Sequence, residues 1–101
     1  EVAAKEWLTT DSGLLRYAAM LIGARCVGLK IADIADSLAK ALRSVPVGLE
    51  VVSAHGAAVL LAACGTRSDD ERGAAKAFIE ALPEGSLRDR IDDEAGWQLD
   101  M

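Results

Sequence analysis

The chain is short of the residues on which recognisable chemistry is usually built. Its 101 positions hold one histidine, two cysteines, two prolines and four aromatic side chains: Trp7, Tyr17, Phe78 and Trp97. One histidine and two cysteines fall below the four ligands of a structural zinc site, so no metal centre is expected. Two cysteines close at most one disulfide and cannot form a cysteine framework. Gly48, Gly56 and Gly65 are too scattered for a phosphate-cradling or dinucleotide-binding loop, and no cofactor is expected. Long apolar runs are missing as well. The longest stretch without Asp, Glu, Lys or Arg is the sixteen residues 51–66. A bilayer crossing takes about 20, so no membrane span is expected. A signal-peptide n-region and cleavage motif are absent, and low cysteine use suits a reducing compartment, so a cytoplasmic setting is the expectation.

What the chain has in quantity is alanine, nineteen in all, within a composition that is 51% hydrophobic. Alanine is the best helix former and buries little area, which suits closely packed helices rather than strands. A single all-α domain over residues 1–101 is expected, a compact bundle of five to six short helices. The net charge of −5 is unevenly spread. Residues 1–68 carry seven basic and six acidic side chains, whereas residues 69–101 carry four and ten. Acidic chains are poor ligands for a phosphate backbone, and no nucleic-acid partner is expected.

Local signals divide the chain. Residues 2–8 read as a short helix, followed by Thr10, Asp11 and Ser12 as alternative N-caps. The next helix, running to about Cys26, is apolar on nearly every side, with Arg16 and Arg25 its only charges. That pattern predicts the central, buried helix of the bundle. Ile31, Ile34, Ala35, Leu38, Leu42 and Val45 then mark one helical face, with Lys30, Asp33, Asp36, Ser37, Lys40 and Arg43 on the other. Asp36 and Lys40 stand at a favourable i, i+4 spacing. Pro46 disfavours helix at Val45 and is a natural first residue for a helix over 46–64, ended by Gly65. Its small strip of Ala54, Ala58 and Ala62 predicts deep packing; an extended reading of 47–53 is the competitor. Ser68 and Glu71 have capping-box spacing for a helix whose inward face is Ala75, Phe78, Ile79 and Leu82, ended by Pro83. Ser86 and Asp89 repeat that spacing for a short last helix; beyond Glu94 the chain is expected to fray, although Trp97 and Leu99 favour docking. Residues 83–101 thus read as a semi-independent acidic segment.

Candidate chemistry is sparse. His55 has no carboxylate, serine or cysteine three or four positions away, and Glu50 lies about 140° around the helix from it. A packed or partly exposed structural histidine is the expectation, rather than a catalytic one. Cys26 and Cys64 each close a helix, and the helix between them places both at the same end of the domain. Inert free thiols are expected and a disulfide is disfavoured, because adjacency of helix axes does not guarantee bonding distance. Residues 31–38 resemble the first helix of a DNA-binding helix-turn-helix. The motif then fails: Ala39 replaces the turn glycine, and the would-be recognition helix has no Lys or Arg.

The function expected by elimination is a non-catalytic protein–protein interaction module: an adaptor, inhibitor, immunity-type or regulatory subunit. Its partner is a basic protein or a second copy of the chain. Asp89, Asp92, Asp93, Glu94 and Trp97 are the candidate partner-binding residues, the aromatic serving as anchor; the favoured competing reading docks Trp97 on the core and leaves the acids merely solvated. A degenerate helix-turn-helix regulator is the second reading. A small enzyme or enzyme subunit using His55 or a cysteine is the third.

Overall fold

The computed structural model describes residues 13–26 and 28–100. The expected helix over 2–8 and the caps Thr10, Asp11 and Ser12 lie outside the described residues. Five helices and no strand occur among those described: α1 (Gly13–Ala24), α2 (Ile31–Arg43), α3 (Glu50–Gly65), α4 (Asp69–Ala81) and α5 (Ser86–Leu99). They alternate in direction. Arg16 near the start of α1 donates to the Ser44 carbonyl just past the end of α2, at 2.9 Å. The backbone N–H of Ile31, first in α2, donates to the Glu71 carboxylate in the first turn of α4, at 2.7 Å. Helices α2 and α4 therefore start together, opposite to α1 and α3.

The strongest sequence pattern folds as its spacing dictates. Ile31, Ile34, Leu38 and Leu42 are buried, while Lys30, Asp33, Asp36, Lys40 and Arg43 are exposed. Asp33 accepts the Lys30 N–H at 3.2 Å, so a first-turn carboxylate caps α2 from within. Asp36 and Lys40 are not among the ion pairs of the described residues, despite their spacing.

Helix α3 begins four residues later than Pro46. The Leu49 N–H bonds to the Pro46 carbonyl at 3.1 Å, closing a turn in which Gly48 takes φ +89°. That left-handed position at the third residue is what a type II turn requires of glycine. The Glu50 carboxylate accepts the Gly48 N–H at 3.0 Å and completes the connection. Proline therefore opens a turn here rather than a helix. From Glu50 onward the chain is helical, so the extended reading of 47–53 fails at Val51 and Val52.

The centre of the bundle is α3, not α1. Helix α3 packs against all four other helices, most extensively against α5. Ser53, Ala54, Gly56, Ala57, Ala58, Leu60, Leu61, Ala62, Cys64 and Gly65 are all buried. Helix α1 uses one face only: Ala19, Met20 and Gly23 are buried, but Leu15 is 46% and Ile22 44% exposed. The reason is girth. A helix surrounded by four others must let their backbones approach, and alanine and glycine permit that where leucine, methionine and tyrosine do not. A Cβ on Gly56 would stand 2.8 Å from the Met20 sulfur and 2.8 Å from Tyr17 Cδ1. Apolar composition marked both helices as buried; side-chain volume chose between them.

Ser68 caps α4 as its spacing predicts, its Oγ accepting the Glu71 N–H at 3.1 Å. The Glu71 carboxylate does not return to Ser68, because it is engaged with Ile31 across the bundle. Glu71 thus joins the starts of two helices. Glu71→Ala is expected to cost about 1–3 kcal/mol, since it strands a partly buried N–H that had a charged acceptor. Glu71→Gln keeps an acceptor and should cost clearly less. Urea midpoints for the two variants check this, and equal midpoints would count against the cross-bundle cap.

Helix α5 starts one residue after its N-cap, Gly85 (φ +153°), so Ser86 belongs to the first turn and does not cap. The expected fraying beyond Glu94 does not occur. The helix continues to Leu99, and Ile91, Ala95 and Leu99 are completely buried. Through Ile91, Ala95 and Leu99 this helix packs into the core.

Candidate functional site

Helix α5 carries its buried residues at four-residue intervals: Leu87 half-buried, then Ile91, Ala95 and Leu99. With about 100° between successive residues, this inward strip leaves Asp89, Asp93 and Trp97 on the opposite side. All three are exposed, Trp97 by 63%. Trp97 also borders an open depression of about 650 Å³ with Thr66, Arg72 and Gln98. The guanidinium of Arg72 is held by Asp69 at 3.0 Å. An indole left in water on an ordered helix is available as a contact, and its face carries Asp89 and Asp93 together with exposed Arg90 seven positions before it.

The remaining two acids of the expected set point elsewhere. Asp92 turns toward α4, where it lines a cleft of about 250 Å³ with Lys76, Ile79, Glu80, Gly96, Leu99 and Asp100. In that cleft Lys76 is paired with Asp100. Glu94 turns toward α3, where its Oε2 lies 3.0 Å from Nδ1 of His55. The five residues read together in sequence are therefore three separate features: an outer face, an inter-helix cleft and an ion pair.

His55 has the partner that inspection of its own helix could not find. Glu94 holds Nδ1, and the Tyr17 ring stands 6.3 Å away, centre to centre, tilted by 43°. Residues 17, 55 and 94 come from three helices, and only the packing of α1 and α5 on α3 unites them. The signal was not local, so no spacing rule would have found it. A carboxylate on Nδ1 fixes the ring's orientation and leaves Nε2 facing away, the geometry of a general base or a metal ligand. The other parts of such a site are missing from the described residues near it. No cluster of three His, Cys, Asp or Glu side chains occurs there, and none of the four main clefts includes His55. Half-exposed as both partners are (51% and 42%), the pair contributes about 0–1 kcal/mol to joining α3 and α5.

Cys26 and Cys64 are free thiols, Cys64 buried and Cys26 partly so. Burial pushes the Cys64 thiol above its ordinary value, and nearby Arg67 opposes the rise. A buried protonated thiol is a poor nucleophile. The helix that the DNA-binding reading would lay in a major groove is α3, of which only Glu50, Val51 and His55 are fully exposed. No helix among the described residues is long and apolar enough to cross a membrane. Comparison with protein-family models, with curated proteins and with solved structures found no match to this chain.

Proposed function

We propose that the protein is a non-catalytic helical interaction module that docks a basic segment of a protein partner on the outer face of α5. The observation that carries this reading is Trp97, 63% exposed on an otherwise firmly packed helix and aligned with Asp93 and Asp89. Tryptophan is the residue most enriched among the side chains that dominate interface energies. Burying the exposed part of its indole against a partner's apolar stem supplies affinity, and the aspartates favour Lys or Arg beside it. The inward strip of the same helix is fully used by the core, so the face is rigid before the partner arrives. Pre-organisation of that kind lowers the entropy lost on binding.

Trp97→Ala is expected to weaken binding of a Lys/Arg-rich helical peptide by about thirtyfold, the usual loss for a central aromatic anchor. Asp89→Arg combined with Asp93→Arg should abolish its salt dependence and slow association. Trp97→Ala should leave the thermal melt unchanged, its side chain being exposed, whereas the double Arg variant should melt a few degrees lower because Asp89 stands in the first turn of α5. Fluorescence anisotropy of the labelled peptide measures affinity and salt slope together. Unchanged affinity in both variants would remove this face as the binding surface.

A further inference from the structure

We propose that Cys26 and Cys64 form a redox-responsive dithiol, closed to an intramolecular disulfide by a low-molecular-weight disulfide such as oxidised glutathione. Helices α1 and α3 run side by side in one direction, and their contacts advance in register. Gly56 meets Met20, and one turn later Leu60 meets Gly23. The next step along both helices reaches Cys64 on α3 and the chain just past α1, where Cys26 lies. Arg67 fastens that junction. Its guanidinium donates to the carbonyls of Leu29 at 3.0 Å and Ala24 at 3.5 Å, one on each side of Cys26. The connection holding Cys26 is thus clamped to the end of the helix that carries Cys64. Cys26 is also among the groups that influence the Cys64 thiol electrostatically, which agrees with their proximity.

The two thiols differ in access, and that difference orders the reaction. Cys64 is completely buried. Cys26 is only partly buried, its Sγ–H donating to the Ile22 carbonyl at 3.4 Å. The Cys26 thiolate therefore attacks first, breaking the S–S bond of the small disulfide to form a mixed disulfide and release one thiolate. Cys64, whose burial makes this the slower step, then attacks the Cys26 sulfur and passes its proton to the departing small thiolate. The second small thiol leaves and the Cys26–Cys64 bond forms. Two protein thiols are oxidised and one small disulfide is reduced to two thiols, so electrons and protons balance.

The test uses the full chain in glutathione buffers of increasing oxidised fraction, quenched with acid, alkylated in denaturant so that buried Cys64 is reached, and read by intact mass. Wild-type protein is expected to take two labels in reducing buffer. In oxidising buffer it should take none, with the mass lower by two hydrogens. Cys64→Ser should instead accumulate glutathione on Cys26, at about ten times the wild-type level or more, because the closing thiol is gone. Cys26→Ser should stay unmodified, its remaining thiol being buried. The oxidised wild type should melt several degrees higher than the reduced form, as a cross-link between α1 and α3 restricts the unfolded chain. Wild-type protein that holds glutathione on Cys26 as stably as Cys64→Ser does would overturn the proposal. So would covalent dimers, or two free thiols persisting in the most oxidising buffer.

Discussion

Ending the chain after Leu82 is expected to unfold the whole domain rather than to trim an acidic tail. The deletion removes Ile91, Ala95 and Leu99, each completely buried, and with them the largest interface of the central helix. Truncating one buried Ile or Leu to Ala alone costs about 2–5 kcal/mol. Losing both side chains costs about 4–10 kcal/mol before the rest of the helix is counted, which is comparable to the roughly 5–15 kcal/mol by which domains are stable. It also uncovers Gly65 and the apolar surface of α3 around it. Far-UV circular dichroism and a thermal melt decide the matter: weak helicity without a cooperative transition is expected. A truncated chain that melts cooperatively would mean that α1–α4 form a self-sufficient core. For the same reason, point variants on the outer face of α5 are the right probes of partner binding, and deletion is not.

Two glycine-to-alanine changes, eight positions apart in the sequence, should move stability in opposite directions. A Cβ on Gly65 would stand 2.5 Å from Leu99 Cδ2 and 2.9 Å from the Cβ of Ala75. Leu99 ends in a flexible side chain, but the Ala75 methyl is fixed to its backbone, so α3 and α4 must move apart. Overpacking of this kind costs about 1–3 kcal/mol. The intrinsic helix preference for alanine returns at most about 1 kcal/mol, and less at the last position of a helix. Sterics win, and Gly65→Ala destabilises. Gly73 lies inside α4, exposed, with nothing within 4 Å of an added Cβ. There the helix preference acts alone, and Gly73→Ala should stabilise by about 0.5–1 kcal/mol. In a domain of this size each kcal/mol moves the melting temperature by about 4–8 °C, so scanning calorimetry separates the two variants easily. A melt at or above wild type for Gly65→Ala would show that α3, α4 and α5 are less tightly joined than described.

The sequence by itself determined the helical class and the helices whose signals are complete within a few residues. Helix α2 shows its buried face at Ile31, Ile34, Leu38 and Leu42, and α4 shows its cap at Ser68. The alanines of α3 announced close packing. These features are local: a cap or a periodic face is decided by neighbours one turn away. The start of α3 was misread because two local rules competed, and the left-handed turn at Gly48 prevailed over the preference of proline for a first helical position. Other features were decided only when the helices met. The central position went to α3 rather than α1 because four neighbours can approach alanine and glycine but not leucine and tyrosine. His55 found Glu94, and Glu71 left its own cap for Ile31, across separations of 39 and 40 residues. The acidic run of α5 was legible as charge. Which of its acids face outward beside Trp97, and which are occupied with α3 and α4, depends on how the helix is rotated on the core. Burial of Ile91, Ala95 and Leu99 sets that rotation, and it is a property of the packed bundle that no single stretch of chain contains.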